Sequence, residues 1–304
     1  MGFIKGSSVG LEISQEFISV VELESNGNGF ALKRYGKTEN ISSLINPSFS
    51  AKNIADEEKF KEIVKNLFQR NLINTRHVSV ALPDDSVKVS FLEFEDIPKE
   101  RDKVMELIKW NIKKALPFPD SEAVIDFQIM ESPAGANRLY KLATAIMRRT
   151  VLDQYERLLT ACQFHPDSIL PSSFAMYNLY HDNLAGAELC ALLTASKKKI
   201  SATVIKDRKP CFFRNKGIDD EQQGVREIVA SINYYQDVYA AMPKKLYFID
   251  LGFGFANLKE GLEKNLEGLD IRPLRMSSVI KDVNGSLDNF SGAAGAALRT
   301  ESGK

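Results

Sequence analysis

The sequence predicts an α/β fold made of two related halves, and three observations carry that prediction. Strand patterns alternate with amphipathic helix patterns, the three-strand pattern that opens the chain recurs near residue 190, and a second β-rich stretch interrupts the first half. At 304 residues the chain has room for about two domains, each able to bury a core without disulfide or metal.

The opening meander is read from Val9–Ile13, Ile18–Leu23 and Phe30–Tyr35, with Asn26-Gly27-Asn28-Gly29 supplying turn chemistry. Within 55–70, Phe60, Ile63, Val64, Leu67 and Phe68 recur at the spacing that puts one apolar face on a helix. A short strand, Val78–Leu82, follows, and Pro83-Asp84-Asp85 interrupts the chain. The second β-rich stretch begins at Val87–Phe94. Its helix, 99–115, carries Val104, Leu107, Ile108 and Ile112 and stops at Leu116-Pro117-Phe118-Pro119, because proline cannot continue a helix. Strands at 123–130 and 139–147 come next. A helix with Val151, Tyr155, Leu158, Leu159 and Cys162, expected to end near Pro166, leads to the strand Ile169-Leu170 and a helix from Ser173.

The repeat then begins: Leu189–Thr194, Ile200–Ile205, a turn at Asp207-Arg208-Lys209, and Cys211–Arg214. Placing Ile18-Ser19 on Ile200-Ser201 sets Glu12 opposite Thr194 and Ser14 opposite Ser196. The second half continues with a helix carrying Val225, Ile228, Val229, Ile232 and Tyr239 and a strand Lys245–Ile249. A Gly-rich turn, a helix over 258–266 and a strand near 269–274 complete it.

Charge and composition exclude several classes. Forty basic against forty acidic residues give a net charge of zero, and no basic run is interleaved with aromatics, which argues against nucleic-acid binding. Three cysteines far apart, an odd number, fit reduced thiols and a cytoplasmic location. The N-terminus lacks a signal-peptide pattern and no apolar run approaches the roughly 18 residues of a membrane span. Direct membrane insertion is therefore not expected, and attachment would come through a partner.

Few motifs suggest chemistry. Gly36-Lys37-Thr38 has the residues of a phosphate loop but not its spacing from Gly29, and a solvated strand end is the expectation. Gly252-Phe253-Gly254 lies between a strand and a helix, as a dinucleotide loop would, without its third glycine. His77, His165 and His181 lack ligand spacing, so no metal is expected. Asp84-Asp85, Asp219-Asp220-Glu221 and Lys197-Lys198-Lys199 read as solvated turn charges. Phe118, held between two prolines, is either a plug under its module or a partner-binding residue.

The duplicated meander with a β/α insertion resembles the actin-like superfamily in its FtsA-type variant. It more closely resembles the PilM family of type IV pilus assembly proteins. The resembling stretches are Val9–Ile13 with Val20–Leu23, Val78–Pro83, Lys114–Pro119, Ile125–Gln128, Arg226–Gln236 and Ala293–Arg299. Leu116-Pro-Phe-Pro119 followed by Asp126-Phe127 is the most specific of them. The cytoplasmic part of the type II secretion protein GspL resembles the chain more distantly. The resemblance implies an actin-like first subdomain (1A) at 1–83 and 166–188, an inserted 1C subdomain at 84–165, and a second half at 189–304. In that half the 2B subdomain is truncated or missing around 217–225.

In the family, Asp-x-Gly turns and a Gly-rich turn hold a nucleotide between the halves, glycine letting backbone N–H groups reach phosphate while carboxylates hold magnesium. The matching positions here are Glu12 and Ser14, Thr194 and Ser196, and Gly252 and Gly254. Both turn glycines and the second carboxylate are gone. The resemblance with these departures implies no catalytic residue, no metal, no bound ATP or magnesium, and a pseudo-ATPase rather than an enzyme. It further implies a cytoplasmic scaffold at the inner membrane that docks the N-terminal peptide of a PilN-like membrane protein between 1A and 1C, with other pilus or secretion components around it. The alternative is an actin-like ATPase with nucleotide-regulated assembly. A sugar kinase ranks below both, for want of a catalytic aspartate.

Overall fold

The computed structural model describes residues 7–298 apart from 26–28, 42, 135–137, 185, 187, 282 and 284. The expected turn at Asn26-Gly27-Asn28 falls outside the described residues. β1 (Ser7–Ile13), β2 (Phe17–Ser25) and β3 (Phe30–Glu39) form the opening meander. α1 (Glu57–Arg70) starts at Asp56, whose carboxylate accepts the N–H of Lys59 at 3.0 Å, an N-cap. β4 (His77–Leu82) returns parallel to β1, and a 3-10 turn over Asp84–Ser86 leads into the inserted module.

The module comprises β5 (Lys88–Phe94), α2 (Arg101–Ile112), β6 (Ala123–Glu131) and β7 (Tyr140–Arg148), its sheet ordered β5-β7-β6. α3 (Arg149–Ala161), β8 (His165–Pro171) and α4 (Ser172–Tyr180) complete the first half. α3 ends earlier than expected, and Pro166 lies in β8, an edge strand where a missing N–H is tolerated.

The second half repeats the plan with β9 (Leu189–Ala195), β10 (Lys199–Lys206), β11 (Lys209–Gly217), α5 (Glu221–Tyr239), β12 (Lys245–Asp250), α6 (Phe255–Asn265) and β13 (Asp270–Pro273). The order β11-β10-β9-β12-β13 reproduces β3-β2-β1-β4-β8, with the same two antiparallel and two parallel pairings. Only residues 218–220 join β11 to α5. β14 (Ile280–Lys281) and α7 (Ser291–Ala297) close the chain.

The layers follow from which residues share a core. Phe60, Val64 and Leu67 of α1 and Val151, Tyr155 and Leu158 of α3 pack beneath Leu11, Ile13 and Val20 of the first sheet. Ile228 and Ile232 of α5 and Leu258 and Leu262 of α6 cover the outer face of the second. Between the sheets, Val21 and Leu23 face Leu192 and Ile249 across α4 and α7, giving five layers, α/β/α/β/α.

The packing corrects two expected boundaries. α3, placed by sequence in the 84–165 module, fills the core of the first sheet, because its apolar stripe meets α1 rather than α2. The tail, assigned to the second half at 189–304, returns to the first: β14 pairs parallel to β3, and α7 lies on β1 and α4. Gly10 makes that approach possible, since a Cβ there would stand 1.9 Å from the carbonyl oxygen of Ala293.

A third correction concerns Phe118. It is 8% exposed, in the module core with Val104, Ile108, Ile112 and Ile146, and is not presented to a partner. Its ring lies 5.0 Å from that of Phe49, on the 45–55 loop of the first half, so the plug also seats the module. The Arg148 guanidinium stands over the Phe118 ring and donates to the Ser50 carbonyl in that loop. Asn53 fixes the same loop from within, accepting from Ser86 at 2.5 Å and Tyr155 at 3.0 Å.

Candidate functional site

The two hairpins point their turns into one cleft between the halves, lined among others by Glu12, Asp84, Ser172, Thr194, Ser201 and Leu251. Its volume is about 80 Å³. Small-molecule sites run to roughly 300–1,000 Å³, so the cleft is closed down to the scale of a few waters. A larger, open depression of about 710 Å³ lies between the ends of α1 and α3, far from these groups in the fold, and includes Phe68, Ile73 and Phe164.

The register places equivalent side chains in matching rows. In the first sheet Glu12 pairs with Ser19 and Ser19 with Lys37. In the second Thr194 pairs with Ser201 and Ser201 with Asn215. Gly36-Lys37-Thr38 is thus a segment of β3 rather than a loop, and Lys37 Nζ sits 4.1 Å from the centre of the Phe17 ring and 2.9 Å from Glu39.

Each turn serine closes its own turn. The N–H of Ser14 donates to the Phe17 carbonyl at 2.9 Å, and its Oγ accepts from the N–H groups of Glu16 and Phe17. Ser196 copies this, donating to the Lys199 carbonyl at 2.8 Å and accepting from Lys198. A side-chain hydroxyl bonded in this way takes the donors that a glycine turn would leave for phosphate.

Glu12 is 2% exposed. Its Oε1 accepts from Ser172 Oγ at 2.5 Å, its carboxylate rests against Gly292 in the first turn of α7, and Oε2 has no hydrogen-bond partner among the described residues. Burial pushes its carboxyl up to about 7; the Ser172 hydroxyl, Lys37 and the Ala293 N–H favour the anion, and Asp84 disfavours it.

Asp84 and Asp85, expected as solvated turn charges, instead fasten the halves together. Asp84 is 6% exposed; Oδ1 accepts the Ser173 N–H at 3.1 Å, and Oδ2 accepts Ser173 Oγ at 2.6 Å and Ser201 Oγ at 3.0 Å. Asp85 pairs with Lys199, and its Oδ1 accepts Asn215 Nδ2 at 2.6 Å. Lys199 is therefore not a free hairpin-tip charge. Sequence alone does not bring residues 84–85 and 199–215 together, because the contact depends on how the two sheets face each other.

The Gly-rich turn is also engaged from within. Gly252 and Gly254 have φ of +106° and +104°, which turns successive N–H groups inward. Asp250 fills that nest: Oδ1 accepts from Gly252, Phe253 and Gly254 at 2.9–3.1 Å, and Oδ2 from Phe255 at 3.0 Å. An Asp directly before Leu251-Gly-Phe-Gly254 is the sequence signal for this Asx-type nest. Among the described residues no cluster of His, Cys, Asp and Glu is arranged to hold a metal ion.

Two facing α/β halves with repeated sheets and their hairpin turns in a shared cleft define the actin-like ATPase fold. The solved structures agree. A structure titled as the PilM-PilN type IV pilus biogenesis complex superposes with a TM-score of 0.81 at 18% identity, covering 97% of this chain and 98% of that one. A Bacteroides thetaiotaomicron protein with an actin-like ATPase fold and unknown function gives 0.58 at 8% identity, over 95% and 98%. The cytoplasmic domain of EpsL, an inner-membrane component of the Vibrio cholerae type II secretion system, gives 0.52 at 13%, over 81% and 82%. No curated protein matches the sequence. The family model for type IV pilus assembly protein PilM matches residues 10–241, well over half of the chain, and the chain belongs to that family.

Proposed function

We propose that this chain serves type IV pilus assembly as a nucleotide-independent docking scaffold at the cytoplasmic face of the inner membrane. It would hold the N-terminal cytoplasmic segment of a PilN-like membrane protein between the first sheet's subdomain and the inserted module. The observation that carries the nucleotide-independent part is the self-closure of the cleft. Ser14, Ser196 and Asp250 occupy the backbone donors a phosphate would use, while Asp84 and Asp85 tie the halves directly. A magnesium nucleotide does not fit these residues: of the carboxylates lining the cleft, Glu12 is buried with its carboxyl raised to about 7, Asp84 is engaged by Ser173 and Ser201, and the space is about 80 Å³. Docking on a PilN-like partner is supported by the family and by the likeness to the PilM-PilN structure. Seating of the module through Phe49, Phe118 and Arg148 supports a groove of fixed shape, which favours capture of an extended peptide.

Thermal unfolding with and without millimolar magnesium-ATP tests the first part. Ligand at one hundred times its dissociation constant would add about 2.7 kcal/mol, a shift of several degrees, and no shift is expected. Titration with the N-terminal peptide of the PilN-like partner is expected to give one-to-one binding that magnesium-ATP leaves unchanged. Binding that appears only with the nucleotide would favour the actin-like, nucleotide-regulated reading instead.

A further inference from the structure

α2 buries Val104, Ile108 and Ile112 in the module core, and Trp110 is not on that face. It is the chain's only tryptophan and is 77% exposed, the most exposed of its large apolar side chains among the described residues. Seven residues earlier stands Lys103, on the Trp110 side by helical spacing, and Lys113 and Lys114 follow directly in the 3-10 turn Lys113–Ala115 that continues the end of α2, all three lysines exposed. Glu106 shares that side and Asp102 lies at its edge, so the three lysines outnumber the carboxylates by one in a chain whose total charge is zero. Lys103 and Lys113 make only long pairs, 3.6 Å to Glu100 and to Asp120, between exposed side chains.

We propose that this face of α2 rests on an anionic lipid surface, with the Trp110 indole at headgroup depth and Lys103, Lys113 and Lys114 around it. The charge argues for the occupant. Lysine ammonium groups on long stems reach lipid phosphates while their methylenes lie beside the apolar ring, and an indole favours the boundary between headgroup and hydrocarbon. A protein partner gains most from a tryptophan sealed in a pocket, and holding several flexible lysines in one geometry costs side-chain entropy. A fluid lipid surface demands neither. The contact is peripheral, since no helix among the described residues is long and apolar enough to cross a membrane. It requires nothing of the nucleotide cleft and would add a direct contact to attachment through a partner.

Trp110 is its own reporter. The full chain is titrated at low ionic strength with phosphatidylcholine vesicles containing phosphatidylglycerol, following tryptophan emission, iodide quenching and flotation. The expected result is a blue shift with reduced quenching, absent with phosphatidylcholine alone and reversed by high salt. Replacing both lysines, Lys113→Gln with Lys114→Gln, should weaken flotation by roughly tenfold or more. Trp110→Ala should weaken it as well, with far-UV circular dichroism unchanged because the side chain is outside the core. Unchanged emission with anionic vesicles would overturn the proposal. So would an equal response to neutral ones, or an emission shift produced by the PilN-like peptide without lipid.

Discussion

The two halves hold the same backbone plan and use it differently. In the first, the row Glu12–Ser19–Lys37 is sealed by α7, which Gly10 admits and whose first turn rests on the Glu12 carboxylate. In the second, two members of the row Thr194–Ser201–Asn215 are bonded to Asp84 and Asp85 of the other half. At the position equivalent to Gly10 the second half has Leu192, buried in the layer between the sheets. The difference shows that one duplicated framework can fill equivalent rows in two ways, by inward packing of a helix or by latching to its twin.

The comparison breaks most sharply at its glycine. Gly10→Ala puts a methyl within 1.9 Å of the Ala293 carbonyl oxygen and 2.6 Å of the Ala297 nitrogen, both backbone atoms. Denaturant unfolding should show a loss on the order of 4 kcal/mol or more. Leu192→Ala, which removes volume at the matching place, should cost about 3 kcal/mol through the cavity it leaves. If Gly10→Ala is neutral, α7 is not held as described.

The latch comes next. Asp84→Ala strands Ser173 and Ser201 in a buried site and should cost about 3 kcal/mol. Asp85→Ala, next to it but with a side chain 40% exposed, should cost about 1 kcal/mol or less in the same measurement. Equal losses would mean that burial does not separate the two.

The smallest effect is a pH slope. Glu12 takes up a proton on folding between its ordinary value of 4.5 and about 7, so its contribution is fully present below 4.5 and is lost as pH rises through 7. Between pH 5 and 8 the wild type should lose roughly 2 kcal/mol that Glu12→Gln retains, because the amide has no charge to bury. A stability difference between the two proteins that stays constant with pH would show that Glu12 does not carry this proton.

Much of the framework was legible because helix and strand periods are local. The α1 and α3 stripes, both meanders and the register that sets Glu12 opposite Thr194 all appear in the sequence and recur in the pairing. α7 was not, since Ser-Gly-Ala-Ala-Gly-Ala-Ala has no apolar period and is fitted to close approach rather than to a stripe. Asp84 and Asp85 were not, for a different reason. Their partners, Ser173, Ser201, Lys199 and Asn215, lie 89 or more residues away, which leaves no spacing to read. Phe118 was ambiguous because a loop aromatic says nothing about what covers it until Phe49 is placed.

The return of α7 onto β1 has a consequence for biosynthesis. A ribosome releases residue 10 long before residue 297, so β1 emerges with one side bare and stays so until α7 has been made. The exposed stretch, Val9–Ile13 beside Val20–Leu23, is apolar and strand-forming, a surface that holdase chaperones recognise. Synthesis of α7 is then the event that commits the central layer to its final form.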